Sequence, residues 1–332
     1  MAVSVRDVAA AASVSVGTVS NVLNHPAKVA PATVERVLRA IDELGFVRND
    51  AARQLRAGRS RSIGLVVPDI GNPFFAEVAR GAQARAAEAG LTVLVGNSDE
   101  TPSREAAHLE LFREQRVNGM LVTPASDDVT GLRRVRDAGL PLVLVDRDVP
   151  GERFDSVSVD DVEGGRLAAS HLLQSGRRRI AFVGGPRSIR QVADRLQGAR
   201  TAVGADATLE VVELPSLTVL HGRAAGEEIA TRPPARRPDA IFAANDLLAV
   251  GLLQGLVAVG GIRVPRDIAL IGYDDIEFAA AALVPLSSIR QPARTIGSSA
   301  VDLLLRRRAH DGGDERSVRF QPELVVREST RG

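Results

Sequence analysis

The 332-residue chain contains no cysteine. A disulfide framework, a thiol nucleophile and a cysteine zinc site are therefore excluded. Its five histidines (His25, His108, His171, His221 and His310) are scattered, and none sits at metal-ligand spacing, so no metal is expected. No stretch of eighteen apolar residues occurs, so nothing reads as a membrane-spanning helix. A charged, capped segment stands at the N-terminus where a signal peptide would be apolar, and the cytoplasm is the expected location. There is no Gly-x-Ser-x-Gly elbow, phosphate-loop lysine motif or Gly-x-Gly-x-x-Gly fingerprint. Gly184-Gly185-Pro186 faintly echoes a phosphate loop, but Pro186 lacks an amide donor. No enzyme and no cofactor are expected from these motifs. Lysine is nearly absent as well, Lys28 being the single one among 42 basic residues.

What is present points to two or three domains with a large core, since 45% of the residues are hydrophobic. The net charge is only +1, yet residues 1–61 carry nine basic and five acidic side chains, a local +4. Ser4 with Asp7 three residues on makes a capping-box pattern. Val5, Val8, Ala9 and Ala12 then give a helix one apolar side, Ser13-Val14 turns the chain, and Ser15 is a second N-cap. Val19, Val22 and Leu23 can pack back on the first helix, with Ala9 and Ala12 small enough for a close crossing. Val16, Gly17, Ser20 and Asn21 are left on the outer side of the second helix, facing a DNA major groove. A third helix is expected from Pro31, through Val34, Val37, Leu38, Ile41 and Leu44, stopped by Gly45. Beyond it, five arginines accompany one aspartate between Phe46 and Arg61. Asn49 can cap a short helix to about Leu55. Alone in water it would be marginal, so it is expected to order on DNA. The arginines suit phosphates, and Leu55 suits a wedge in the minor groove. A solvated basic linker is the plainer reading of the same stretch.

These residues carry a resemblance. Val5-Arg-Asp-Val-Ala9, Val14 through Asn24, Asn49 through Leu55, Ile63 through Pro68, Asn72-Pro-Phe-Phe75, Ile271-Gly-Tyr-Asp274 and Gln291-Pro292 together resemble the lactose-repressor (LacI/GalR) family of bacterial transcription regulators, essentially end to end. The resemblance implies that Val16, Gly17 and Asn21 sit where the family reads bases, and that Leu55 enters the minor groove. The DNA-binding set it suggests is Ser4, Ser15, Val16, Gly17, Thr18, Ser20, Asn21, Asn24, Asn49, Ala52, Arg53, Leu55 and Arg56. Arg48 departs from the proline that the family often places before Asn49. The implied partners are double-stranded operator DNA, a small-molecule effector and a second copy in a homodimer, with no membrane. The implied place is the bacterial cytoplasm, on the nucleoid when bound to DNA.

From Ser62 apolar runs alternate with amphipathic helices. Strands are expected near Ile63–Val67, Leu91–Val95, Gly119–Val122 and Leu142–Val145, then near Ile180–Val183, Leu209–Val212, Ala240–Ala243 and Ile268–Ile271. The intervening helices lie near 74–89, 103–115, 129–138, 162–174, 191–203, 222–230 and 247–259. The fold class is thus an all-α helix-turn-helix head on an α/β body of two doubly wound parallel-sheet subdomains, as in periplasmic binding proteins. The expected division is 1–47 for the head, 48–61 for hinge helix and linker, and 62–332 for effector binding and dimerisation. Within the last, one subdomain takes 62–160 and 291–321, the other 161–290 and 322–330. Polar residues gather at the carboxyl ends of the strands, where such sheets bind ligands. Asp69, Asn72, Phe74, Phe75, Asp146, Arg147, Arg195, Asn245, Asp274 and Gln291 form the candidate effector site, chosen partly by resemblance. Tyr273 and Asp275 lie beside them. Carboxylate, guanidinium and amide groups around an aromatic face suit a pentose, hexose or nucleoside. Any one Asp or Asn there could simply cap a helix. A transport-type sugar-binding protein and a sugar-converting enzyme are the alternatives to a ligand-controlled repressor.

Overall fold

A computed structural model describes residues 3–46, 60–149, 151–205, 207–309 and 316–331, in two compact units, Met1–Ser60 and Arg61–Gly332. In the first unit, α1 (Val5–Ala11) starts at a full capping box. The Ser4 hydroxyl accepts from the Asp7 amide, and the Asp7 carboxylate accepts from the Ser4 amide at 2.8 Å. Ser13 turns the chain with φ +52°, and α2 (Val16–Asn24) begins under the Ser15 hydroxyl, which accepts from the Thr18 amide at 3.0 Å. A 3-10 turn, Pro26–Lys28, leads to α3 (Pro31–Leu44), which opens on proline without a side-chain cap and closes at left-handed Gly45. Val8, Val19 and Val37 are fully buried at the centre of these three helices.

The second unit holds two six-stranded sheets. The first is built from β1 (Ser62–Val67), α4 (Pro73–Glu88), β2 (Thr92–Asn97), α5 (Pro102–Glu114), β3 (Met120–Val122), α6 (Thr130–Asp137), β4 (Leu142–Val145) and β5 (Asp155–Val159). The second is built from α7 (Asp161–Gln174), β6 (Arg179–Gly184), α8 (Arg190–Ala202), β7 (Thr208–Glu213), α9 (Val219–Thr231), β8 (Ala240–Ala243), α10 (Asp246–Gly260), β9 (Ala269–Asp274), α11 (Glu277–Ala281) and β10 (Ser287–Arg290). The chain then returns through α12 (Ala293–Ala309) and β11 (Ser317–Phe320) to the first sheet, and ends with β12 (Glu323–Val325) in the second. Strand order is 2-1-3-4-5-11 in one sheet and 7-6-8-9-10-12 in the other. All pairings are parallel except β12 on β10. Both sheets therefore reverse strand order beside their first strand, which opens a crevice at the carboxyl ends there. The chain passes between the sheets three times, at 159–161, 290–293 and 320–323.

Several expectations shift. The second strand starts at Thr92 and runs to Asn97, and the strand expected to end at Ile271 runs on to Asp274. Sequence reasoning missed β5, β10, β11, β12, α11 and α12. Strand β5 reads Asp-Ser-Val-Ser-Val, too polar for a core strand, but all five residues are buried. Its serine and aspartate find partners across the fold: Ser156 donates to Ser317, and Asp155 accepts from Arg307 at 2.8 Å.

Close helix crossings hold each layer. On α7 and α8, a Cβ at Gly165 would collide with the Arg195 carbonyl, and one at Gly198 with the Val162 carbonyl. This contact draws the start of α7 against Arg195. Replacing Gly198 with valine is expected to cost at least about 1–3 kcal/mol through overpacking, read as a lower denaturation midpoint at unchanged slope. An unchanged midpoint would show that the crossing is not tight.

Candidate DNA-reading helix and ligand cleft

On α2 the capping chemistry consumes several polar groups. Ser15 and Thr18 share a hydroxyl contact of 2.9 Å, and the Asn24 amide donates to the Ser20 carbonyl and hydroxyl. Ser4 is likewise engaged in the cap of α1. The remaining outward residues are Val16, 43% exposed, Gly17 and Asn21. Asn21 makes no side-chain hydrogen bond to another described residue. A Cβ at Gly17 would meet only the Ser15 hydroxyl, at 3.5 Å. Packing within the chain therefore does not require glycine there. The expected hinge contacts Asn49, Ala52, Arg53, Leu55 and Arg56 lie outside the described residues.

In the second unit the carboxyl ends of both sheets enclose a cavity of about 240 Å3. Asn72, Phe74 and Phe75 reach it from the segment after β1, and Asp146 and Arg147 from the end of β4. Arg195 comes from α8, Asn245 from the end of β8, and Asp274 from the end of β9. Asp69 is not in this wall; its carboxylate accepts from the Gly71 amide at 2.8 Å and shapes the turn. Gln291 also lies behind the wall, where it donates to Asp274 at 2.8 Å.

Arg195 is the hub. Its Nε donates to Asp161 at 2.8 Å, one Nη donates to the Ala244 carbonyl at 2.7 Å, and the Asp274 carboxylate lies 3.8 Å away. Its guanidinium also stacks 3.7 Å above the Tyr273 ring. Burial works against the charge, but Asp161, Tyr273, Asp274 and Asp146 outweigh it and hold the pKa above its usual value. Burial pushes the Asp274 carboxyl up to about 6, against the pull of Arg195, Gln291 and Asn72. It pushes Asp146 further, to about 8, helped by Asp161 and opposed by Arg195 and Gln191. Asp161, Asp246 and Tyr273 are raised by burial too.

Asn72 and Asn245 serve the frame and the cavity together. Each caps a helix, accepting from the Phe74 and Leu248 amides, while Asn72 also donates to Asp274 at 3.4 Å. Arg147 donates to the Pro124 carbonyl and pairs with Asp127. Three buried polar atoms at the cavity find no partner among the described residues: Thr123 Oγ1, Asp146 Oδ1 and Arg147 Nε. Unpaired buried polar groups are costly, and these three stand where a molecule in the cavity could pair with them. Asp146 and Asp274 also adopt positive φ, +65° and +103°, strain that clusters at functional sites. No group of three or more metal-ligating side chains occurs among the described residues.

Sequence reasoning missed Gln191, Asp161, Thr123 and Glu100. Gln191 donates to Asp146 at 2.8 Å from 45 residues away. The only local hint was its place near a helix start after a strand.

Residues 4–49 match the model for bacterial regulatory proteins of the lacI family, and residues 169–330 match a periplasmic binding protein-like domain. The transcriptional repressor PurR of Aliivibrio fischeri is 34% identical, with 98% of this chain and 97% of that one covered. The chain belongs to the lacI family. The ribose operon repressor of Bacillus subtilis is also 34% identical, over 98% of each chain. The lac repressor dimer bound to operator and the anti-inducer ONPF superposes with a TM-score of 0.85 at 26% identity, over the full length of both. This lacI-family chain is thus a DNA-binding transcription regulator with a ligand-binding, periplasmic-binding-protein-like body.

Within that body, Arg195→Met is expected to cost about 3–5 kcal/mol, because it strands Asp161 and Asp274 without their cation. Adding Asp161→Asn should restore a good part of the loss in denaturant melts. Equal stability of the single and double variants would show that Arg195 is not the hub.

Proposed function

We propose that the protein is a repressor that binds a palindromic operator as a homodimer and is switched by a neutral, monosaccharide-sized effector in the interlobe cleft. The observation that carries this is one chain with two features: an outward-facing α2 carrying Val16, Gly17 and Asn21, and a cavity walled by polar ends of two parallel sheets. In the working division, 1–47 reads DNA, 48–61 is the hinge, and 62–332 binds effector and dimerises. The lobe containing β1–β5 spans 62–160 and 291–321, and the other spans 161–290 and 322–330. Leu55 from each hinge would wedge between central base pairs of the operator, while the neighbouring arginines hold phosphates.

The cavity, about 240 Å3, falls below the roughly 300–1,000 Å3 of pockets for drug-sized ligands. That suits a pentose, a hexose or a compact nucleoside, with Phe74 covering an apolar face. Each hydroxyl can donate to a carboxylate and accept from an amide or guanidinium, so pairing is demanding and selective. The set serves binding, and no reaction is assigned to it. A homodimer is supported by an apolar groove of about 540 Å3 between α9, α10 and α11. In its wall Leu283 is 84% exposed and Phe278 48% exposed. Exposed apolar patches of this kind mark contact surfaces. Because it is a lacI-family regulator whose relatives are transcriptional repressors, we place the protein in the cytoplasm, at its operator.

Mobility-shift titrations against inverted-repeat and scrambled duplexes, with and without monosaccharides, test this reading. A preference for the inverted repeat that a sugar alters by about 5–150-fold supports it, and equal binding to both duplexes overturns it. Gly17→Ala should raise helix stability by about 0.5–1 kcal/mol yet weaken operator binding. Unaltered operator binding would remove Gly17 from the interface. Asp274→Ala should abolish the sugar response while leaving sugar-free DNA binding in place; a retained response would take Asp274 out of the effector site.

A further inference from the structure

Asp146 is held by one oxygen only. Gln191 Nε2 donates to its Oδ2 at 2.8 Å, which leaves Oδ1 buried, unpartnered and at the cavity wall. The residue is 3% exposed. Facing it are Arg195 and Gln191 from α8, Asp161 from the start of α7 and Asp274 from the end of β9. Its neighbour Arg147 is turned to Asp127 and the Pro124 carbonyl, and Glu100 is the remaining titratable group in the wall. Three carboxylates therefore share the single guanidinium of Arg195. An ionised Asp146 with a bare Oδ1 in that company would be both desolvated and repelled.

We propose that Asp146 couples effector binding to proton release: it keeps its proton while the cleft is empty and releases it when an effector hydroxyl or N–H donates to Oδ1. This rests on the reading of the cleft as the effector site, and adds which residue is coupled and by what chemistry. The exchange balances, since the proton leaves to solvent and the ligand donor takes its place as the partner of the carboxylate. A ligand that offers only acceptors meets the protonated carboxyl as an O–H donor instead and releases no proton, and an anionic ligand gains nothing from ionising the group. The proton held near neutral pH, with the group titrating at about 8, agrees with this geometry.

The sign follows from linkage. A carboxyl whose pKa is raised in the folded state contributes stability at low pH and loses it as pH climbs through the raised value. The wild-type protein should thus lose an Asp146 contribution between about pH 4 and pH 8, and Asp146→Asn should not. Melting temperatures of the full, ligand-free chain from pH 5 to 9 test the stored proton. The expected result is an Asp146→Asn minus wild-type difference that climbs through neutral pH and levels off above about 8, whereas the Asp274→Asn difference is already level above about 6. A constant Asp146→Asn offset overturns the proposal.

The second arm uses D-ribose, D-glucose, D-galactose and uridine as probes, carrying forward the one that most raises the melting temperature at pH 8. Its affinity by calorimetry should improve up to about tenfold per pH unit between 6 and 7, with about one proton released, and Asp146→Asn should show neither trend. Affinity independent of pH in the wild type overturns the coupled proton release. Failure of every probe to shift the melt counts against the neutral-sugar reading above, while the ligand-free melts still decide whether Asp146 stores a proton.

Discussion

The buried guanidinium of Arg195 is the interaction on which the ligand-binding body depends. It ties Asp161 at the head of α7, the Ala244 carbonyl after β8, and the ring of Tyr273 and carboxylate of Asp274 at the end of β9. A charge so deep is tolerable only because it is paired with Asp161 and hydrogen-bonded to the Ala244 carbonyl. The glycine crossing of α7 and α8 is what lets the guanidinium and Asp161 meet at 2.8 Å. Remove that approach and the carboxylates around the cavity lose their common counter-charge. Sheet order supplies the setting: both sheets reverse beside their first strand, so both crevices open where these side chains emerge.

The two units divide the labour by the kind of surface each exposes. The head spends its short polar side chains on helix caps, at Ser4, Ser15 and Thr18, which steadies seven- and nine-residue helices that would be marginal alone. What remains outward on α2 is small or apolar, together with the exposed, polar Asn21. The body does the opposite. It buries charge and leaves a few polar atoms unpaired at a cavity. Three strand crossings between the sheets give that cavity mechanical consequence, because they are the covalent links about which two lobes can close.

Much of the head was legible because its determinants are local. A cap and its amide lie three residues apart, and Pro31 and Gly45 mark the ends of α3 by backbone preference alone. Strand ends were nearly as legible: Asn72, Asp146, Asn245 and Asp274 are polar residues placed after apolar runs, and all four reach the cavity. Asp69 stands after the same kind of run yet only shapes a turn, which pattern cannot distinguish. Strand β5 was illegible for a related reason. Its serines look solvent-facing until Ser317, distant in sequence, arrives to pair with Ser156.

Sequence by itself determined the helix-turn-helix, the alternation of strand and helix, and the polar chemistry at the strand ends, because each depends on residues a few positions apart. Only tertiary structure decided which of those polar groups are paired and which are left waiting. Gln191 reaches Asp146 across 45 residues and Arg195 reaches Asp161 across 34. The charge a buried carboxyl can bear depends on such distant neighbours and on lost water, and neither is written in the local order of residues.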